Sequence, residues 1–216
     1  KLTCAHAIVK YLVAQKILID GKKEPLFAGA FGIFGHGNVA CLGQALEENK
    51  DQIPTFRGHH EQNMALTGIA YARAKRRKQI FVATSSVGPG STNMVTAAAV
   101  AMSNRIPILF LPGDTYANRM PDPVLQQVEH FYNPGITQND AFKPVTKYFD
   151  RLTRPEQILQ TLPQAIQTML DPADSGPACI SMSQDVQGEI FEYPEEFFKE
   201  TIHNIRRPRP DDFQIK

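Results

Sequence analysis

The chain reads as an α/β domain of three layers, a parallel sheet of about six strands with helices on both faces, and three observations predict it. Apolar runs and helical patterns alternate along the sequence after an opening helix, the order expected where each strand crosses over through a helix to a parallel neighbour. The runs GAFGIF (29–34) and QIFVATS (79–85) lack a clear polar alternation, as strands covered on both faces do. Glycine- or histidine-bearing loops, GHGN, RGHHE and SVGPGS, follow the first strands and precede helices, at the end of such a sheet where ligands bind.

Taken in order, Thr3 can cap a first helix that runs to about Gln15 with Ile8 and Leu12 on its apolar face. Residues 20–25 read as a loop, Gly29 to Phe34 as the first sheet strand, and Val39 to Glu48 as the next helix. Ile53 to Phe56 is a second strand, followed by a helix opening near His59 to Glu61 and ending in the basic run Lys75 to Lys78. Gln79 to Ser85 is the third strand, and Ser86 to Ser91 the glycine-rich loop that leads to a charge-free helix from Thr92 to Asn104. A helix without a polar face should be covered on most sides, here by another domain or subunit. Ile106 to Leu111 is a strand, PGDTYANRMPDP a loop of turn formers, Val124 to Phe131 a short helix and Val145 to Phe149 a strand. Thr153, Pro155 and Glu156 spell a capping box for a helix to about Leu170, and Ala178 to Met182 is the last strand.

With 216 residues and 42% hydrophobic content the chain can bury a full core. Lys plus Arg number 23 against 22 for Asp plus Glu, so the balance of +1 gives no reason to expect nucleic acid. The run Arg73, Lys75, Arg76, Arg77, Lys78 fits a solvated end of a helix that compensates its dipole. The most apolar runs, 94–102 and 106–112, are far shorter than the ~20 residues of a membrane span, and no secretory segment is visible, so no membrane role is expected. Cys4, Cys41 and Cys179 form no CxxC pair, which suits a reduced, cytoplasmic protein. The absence of an initial methionine and the proline-bearing, charged tail point to a domain over residues 1–192, with 193–216 a linker toward a missing central domain.

Glu61 heads the helix that the loops surround. Helical steps from it reach Met64, Ala65, Gly68, Ile69 and Ala72, so the acid stands at the head of an apolar stripe. If that stripe packs inward, desolvation should raise the pKa of the carboxyl and let it share a proton with a group bound opposite. An ordinary first-turn acid stabilising a helix start fits the same position. Gly35, Gly37 and Ala40 spell GxGxxA after a strand, a dinucleotide signal that lacks the acid expected at the end of the second strand, since Phe56 and Arg57 stand there. No Walker loop occurs, and the adjacent His59 and His60 point apart on a helix, without an HExxH spacing for a metal.

GIFGHGN, HEQNMALTGIAYARA and ATSSVGPGSTNMVTAAAVAMSNRIPILFLPGD together resemble the N-terminal, pyrimidine-binding domain of thiamine diphosphate enzymes of the acetolactate synthase type. The likeness covers most of residues 3–186. More narrowly, FGHGNVACLGQALE, PDPVLQQVEHF, TRPEQ and SMSQDVQGE resemble the branch that hydrolyses a carbon–carbon bond to open a six-membered cyclic diketone in inositol catabolism. The resemblance implies that Glu61 hydrogen-bonds the cofactor's aminopyrimidine ring and promotes its activation. It places Gly35, Gly37, Asn38, Gly88, Pro89, Gly90 and Asn93 in the loops near that ring, although the glycines equally suit tight strand-to-helix turns. His36 falls where the first loop nears the reacting carbon and is a candidate proton carrier, or else a loop histidine that caps the next helix. Gln126 and Gln127 correspond to a glutamine-bearing segment at the substrate rim. The family's magnesium motif, GDG followed by paired asparagines, does not occur in these residues, so Mg2+ and the diphosphate are expected on a C-terminal domain. The implied partners are the cyclic diketone, the diphosphate-binding domain of a second subunit, and further copies in a homodimer or tetramer, with these residues alone inactive. The alternatives are an acetolactate synthase-like carboligase, a nucleotide-binding α/β module that would take NAD or flavin, and a purely structural oligomerisation domain.

Overall fold

The computed structural model describes residues 1–121, 124–128, 130–205 and 209–215. In chain order the elements are β1 (Leu2–Thr3), α1 (Cys4–Ala14), β2 (Gln15–Ile19), β3 (Lys22–Pro25), β4 (Phe27–Ile33), α2 (Leu42–Glu48), β5 (Thr55–Arg57), α3 (Glu61–Ala74) and β6 (Ile80–Ser85). They continue with α4 (Pro89–Thr92), α5 (Val95–Asn104), β7 (Leu109–Phe110), β8 (Gly113–Asp114), β9 (Tyr148–Leu152), α6 (Ile158–Met169), β10 (Ala178–Ser183), α7 (Gln184–Gly188), β11 (Ile190–Phe191) and β12 (Thr201–His203). Short 3-10 turns cover Gln138–Val145, Pro155–Gln157 and Glu195–Phe198.

The main sheet is parallel throughout. β7 and β8 pair with β10 in one unbroken register, Leu109 opposite Ala178 and Gly113 opposite Met182. They are one strand line interrupted at Leu111 and Pro112, since proline cannot donate to the ladder. The seven strands therefore fill six positions, β5, β4, β6, β7 with β8, β10 and β9, in agreement with the expected sheet.

Alternation along the central strands divides the core in two. Val82, Leu109, Leu111, Ala178 and Ile180 pack beneath α1, α2 and α6, while Ala83, Phe110 and Cys179 pack beneath α3 and α5. Both faces are covered, which is why these strands show no polar alternation in the sequence. Thr3 accepts the His6 N–H and caps α1 as expected.

Several local expectations are corrected. Residues 20–25 are not all loop: Lys22–Pro25 pairs antiparallel with β2 around a turn at Asp20 and Gly21, both at positive φ. The charge-free helix breaks into α4 and α5, and the strand expected from Val145 begins at Tyr148. The box before α6 uses Gln157, whose Oε1 accepts the Thr153 and Arg154 N–H groups, rather than Glu156. The helical phase starts one residue later than the pattern suggested. Within 124–131 the described residues form turns and irregular backbone instead of a helix, and Glu129 lies outside the described residues. Gln126 has φ +66, which a right-handed helix cannot hold.

From residue 193, where a linker is expected, the described chain to His203 packs on the domain. Phe197 stacks on Tyr11 with ring centroids 4.4 Å apart, Tyr193 is buried, and β12 adds in parallel to β2. Arg206, Arg207 and Pro208 of the expected linker lie outside the described residues.

Candidate functional site

The first strand in the sheet, β4, lies between the second, β5, and the third, β6, so the chain reverses its winding direction there. The helices that follow β4 and β6 consequently lie on opposite faces of the sheet, the switch point beside which such sheets hold their ligand crevice. The loops at 35–41, 58–60 and 86–88 start at this end, where Ile33 pairs with Ser85 and Gly32 with Arg57.

Glu61 is the first residue of α3, and Met64, Ala65, Gly68, Ile69 and Ala72 are buried as the stripe predicts. Its Oε2 accepts a hydrogen bond from Asn93 Nδ2 at 3.0 Å, a link from α3 to the end of α4. The residue is half-buried, not enclosed, so its inward-packed helix leaves one side of the carboxyl open. Its Oε1 has no hydrogen-bond partner among the described residues. His59 and His60 are exposed beside it.

Close backbone approach explains the glycines. A Cβ on Gly90 would lie 2.4 Å from Ser86 Oγ and 3.3 Å from Glu61 Oε1. Gly88 has φ +72, and a Cβ there would lie 1.7 Å from the Gln126 carbonyl oxygen. Gly37, at φ +95, lies against Val87, and its carbonyl accepts from Gln187 Nε2 at 2.5 Å. Pro89 opens α4 at its first position. These contacts draw the loops after β4 and β6 against the 124–128 segment, which in the sequence only the family resemblance brings to the rim of the site.

Asn38 is buried and fully engaged as a donor. Its Nδ2 donates to Ile33 O and Thr84 Oγ1, and its Oδ1 accepts the Gly35 N–H. It fastens the first loop from beneath and does not present a free amide to the crevice. The same loop departs from the dinucleotide pattern: residues 35–41 turn repeatedly and α2 begins only at Leu42, so no helix N-terminus stands directly behind Gly35 to Ala40.

His36 is held through its backbone, donating its N–H to Gln126 Oε1 at 2.9 Å and accepting from the Val87 N–H at 2.9 Å. Its ring lies 6.4 Å from that of Tyr116, and its Nε2 is buried without a hydrogen-bond partner among the described residues. The two glutamines differ. Gln126 is exposed and spends its side-chain oxygen on His36, whereas Gln127 is buried with neither amide atom partnered among the described residues. Gln127 lines a cavity of about 130 Å3 with Thr115, Arg119 and Thr137.

Behind these loops lies a polar network not foreseen in the sequence. Asp114, fully buried, accepts from Arg151 Nε at 2.8 Å and from Ser181 Oγ. Arg151 also reaches Asp140 Oδ2 at 3.0 Å and Thr137 Oγ1 at 2.8 Å. Burial works against the charge of Asp140, but Lys143, the Thr137 N–H and Arg151 outweigh it and hold the carboxyl below the ordinary aspartate range. Asn139 donates to Gly113 O and Ser181 Oγ and accepts from Ser91 Oγ, which ties α4 to the network. The one signal in the sequence was the pair of charges inside the strand text YFDRL.

No group of three or more metal-ligating side chains occurs among the described residues. No helix among them is long and apolar enough to cross a membrane.

Residues 3–134 match the family model for the thiamine pyrophosphate enzyme, N-terminal TPP binding domain. The whole chain is 53% identical to 34% of the 3D-(3,5/4)-trihydroxycyclohexane-1,2-dione hydrolase of Clostridium tetani and 50% identical to the same share of its namesake in Shouchella clausii. The namesake in Geobacillus thermodenitrificans is 51% identical over 97% of this chain and 33% of its own length. The chain thus spans about a third of the length of these curated relatives. Since the matched model covers more than half of its residues, on the fold and glycine-lined crevice just described, the chain belongs to the thiamine pyrophosphate enzymes as an N-terminal TPP binding domain.

Proposed function

We propose that this chain supplies the pyrimidine-facing half of a thiamine diphosphate site in a hydrolase that opens a polyhydroxylated cyclohexane-1,2-dione by cleaving a carbon–carbon bond. The observation that carries the reading is the Glu61 carboxyl, oriented through Oε2 by Asn93 with Oε1 left toward the crevice beside Gly90. The surroundings suit a bound ring: the absent Cβ at Gly90 keeps the Oε1 side of the Glu61 carboxyl clear, and a buried ring nitrogen of His36 lacks a partner among the described residues. Bound there, the cofactor supplies a carbon nucleophile for a ketone carbon.

In this reading Glu61 holds a proton against a pyrimidine ring nitrogen, a task that suits a carboxyl whose open side is covered when the cofactor is in place. Asn93 fixes its rotamer. Gly35, Gly37 and Gly88 let the loops that flank the ring close on Ser86, Val87 and Gln126, Gly90 keeps the carboxyl clear, Pro89 sets the start of α4, and Asn38 keeps the first loop rigid. His36 faces the substrate and moves the proton that hydration and ring opening require, its backbone held by Gln126 and Val87. Gln127 offers its unpartnered amide to a substrate oxygen, while Gln126 acts on the substrate through His36.

The diphosphate and Mg2+ belong in this proposal to a domain outside these residues, contributed by a second subunit of a homodimer or tetramer. Support comes from the exposed face of charge-free α5 at Thr96 and Val100, which suits such a partner. The three cysteines are free, in keeping with a cytoplasmic enzyme. The substrate class follows the name shared by the relatives described above.

The test uses the complete gene product with Glu61→Gln and His36→Ala against wild type, assayed for ring opening and, by calorimetry, for thiamine diphosphate binding. Glu61→Gln should keep its fold and lose turnover by roughly 100-fold or more, and His36→Ala should slow ring opening with cofactor binding intact. Full activity in the Glu61 variant would refute the cofactor placement. Full activity in the His36 variant would remove the histidine from the mechanism.

A further inference from the structure

At the opposite end of the sheet, beside the amino ends of β6, β7 and β10, lies a cavity of about 900 Å3. Its volume matches that of small-molecule sites, about 300–1,000 Å3. The floor is apolar, built by Ile17, Ile106 and Met169, all buried. The wall carries the cationic Arg73, Arg76, Arg77 and Lys78 together with the carboxylates of Asp20 and Asp171. Arg73, Arg76 and Arg77 line it with no ion-pair partner among the described residues, whereas neighbouring Lys78 is matched by Asp20 at 3.1 Å.

The backbone beneath these arginines is a second, separate observation. Arg76 and Arg77 have φ +54 and +64, two consecutive left-handed residues at the end of α3, where the Arg77 N–H closes on Ala72 O at 2.8 Å. Helices end this way on glycine, which enters the left-handed region without steric cost. Compensation of the helix dipole needs only a cation in the last turn, which Arg73 already provides. It does not require a long cationic side chain at each strained position. Strain of this kind clusters where a structure clamps a ligand.

We infer that this cavity is a second binding site, distinct from the crevice at the carboxyl ends of the strands, for a phosphorylated organic anion of nucleotide size. The guanidinium groups take the phosphates, and the apolar floor takes the organic body. A bare inorganic anion would leave that floor unused.

The experiment titrates the complete gene product, presaturated with thiamine diphosphate and magnesium, with ADP and separately with inorganic pyrophosphate, by calorimetry. ADP should bind once per chain, roughly tenfold or more tighter than pyrophosphate. The double variant Arg76→Gly with Arg77→Gly should weaken ADP by roughly tenfold or more while melting no lower than wild type, because glycine relieves the left-handed turn. That variant separates loss of the cations from loss of the fold. Absence of ADP binding to the wild type, equal affinity in the double variant, or pyrophosphate binding as tightly as ADP would each overturn the proposal.

Discussion

Substituting Gly88 by alanine tests whether the crevice depends on contact between the loop after β6 and the 124–128 segment. The new Cβ would stand 1.7 Å from the Gln126 carbonyl oxygen, and real Cβ atoms do not approach closer than 3.0 Å, so the two backbones must part by more than about 1 Å. Holding a side chain at φ +72, ψ −124 adds about 1–3 kcal/mol of strain. Displacing Gln126 breaks its hydrogen bond to the His36 N–H, worth about 1 kcal/mol. The sum is about 2–4 kcal/mol. A control exists in the same molecule: Gly21 has φ +81 but nothing within 4 Å of its Cβ position, so Gly21→Ala carries only conformational strain, about 1–2 kcal/mol. Thermal melts should therefore place Gly88→Ala about 3–6 °C below Gly21→Ala, since the midpoints of the two ranges differ by about 1.5 kcal/mol and a chain of this size loses about 2–4 °C per kcal/mol. Hydrogen exchange should show the His36 amide deprotected in Gly88→Ala alone. Coincident melting of the two variants, with His36 still protected, would refute the argument.

Asp114→Asn removes a fully buried charge from Arg151, and with Asp140 still in place the loss should be about 3 kcal/mol, the low end for a broken buried pair. A denaturant titration showing less than about 1 kcal/mol would contradict that placement of the charges. His203 bonds Gln15 through Nε2 at 2.9 Å, and burial lowers its pKa below the usual histidine value. The folded state then binds the proton less well than the unfolded chain, so its stabilising effect is complete above about pH 6.5 and is lost as the pH falls through the lowered pKa. Exchange at residues 201–203 should accelerate between pH 7.5 and pH 5, corrected for the intrinsic rate, as roughly expected for strand release. Unchanged protection would sever β12 from the titration of His203.

The legible parts of the fold were those governed by local periodicity. Alternating strands and helices, the buried stripe Met64, Ala65, Gly68, Ile69, Ala72, and the glycines after β4 and β6 all follow from short-range patterns. What escaped depended on distant partners. Arg151 finds its ion-pair partners only when the fold places Asp114 and Asp140, both outside its own strand, beside it. The charged text from residue 193 hid the aromatic cluster of Tyr193, Phe197 and Phe198, which packs through Phe197 on Tyr11 at the other end of the chain. Gln126 looked helical because nothing local announces φ +66 in a glutamine.

The site and the hidden network share one mechanical logic. Glu61 begins a well-packed helix, yet its orientation relies on Asn93, which ends the four-residue α4. So short a helix cannot hold itself, since nucleation costs more than one turn returns. Its anchorage comes from Ser91 bonded to Asn139, and through Asn139 to Ser181 and the Asp114–Arg151 pair. The buried charges therefore lie one hydrogen-bonded chain away from the Glu61 carboxyl without touching it. A substitution such as Asn139→Ala would leave every crevice-lining side chain in place and still free the loop that orients the acid. In this fold the rigidity of the crevice is set from the far side of the loop, in residues that no reading of the loop motifs alone would choose.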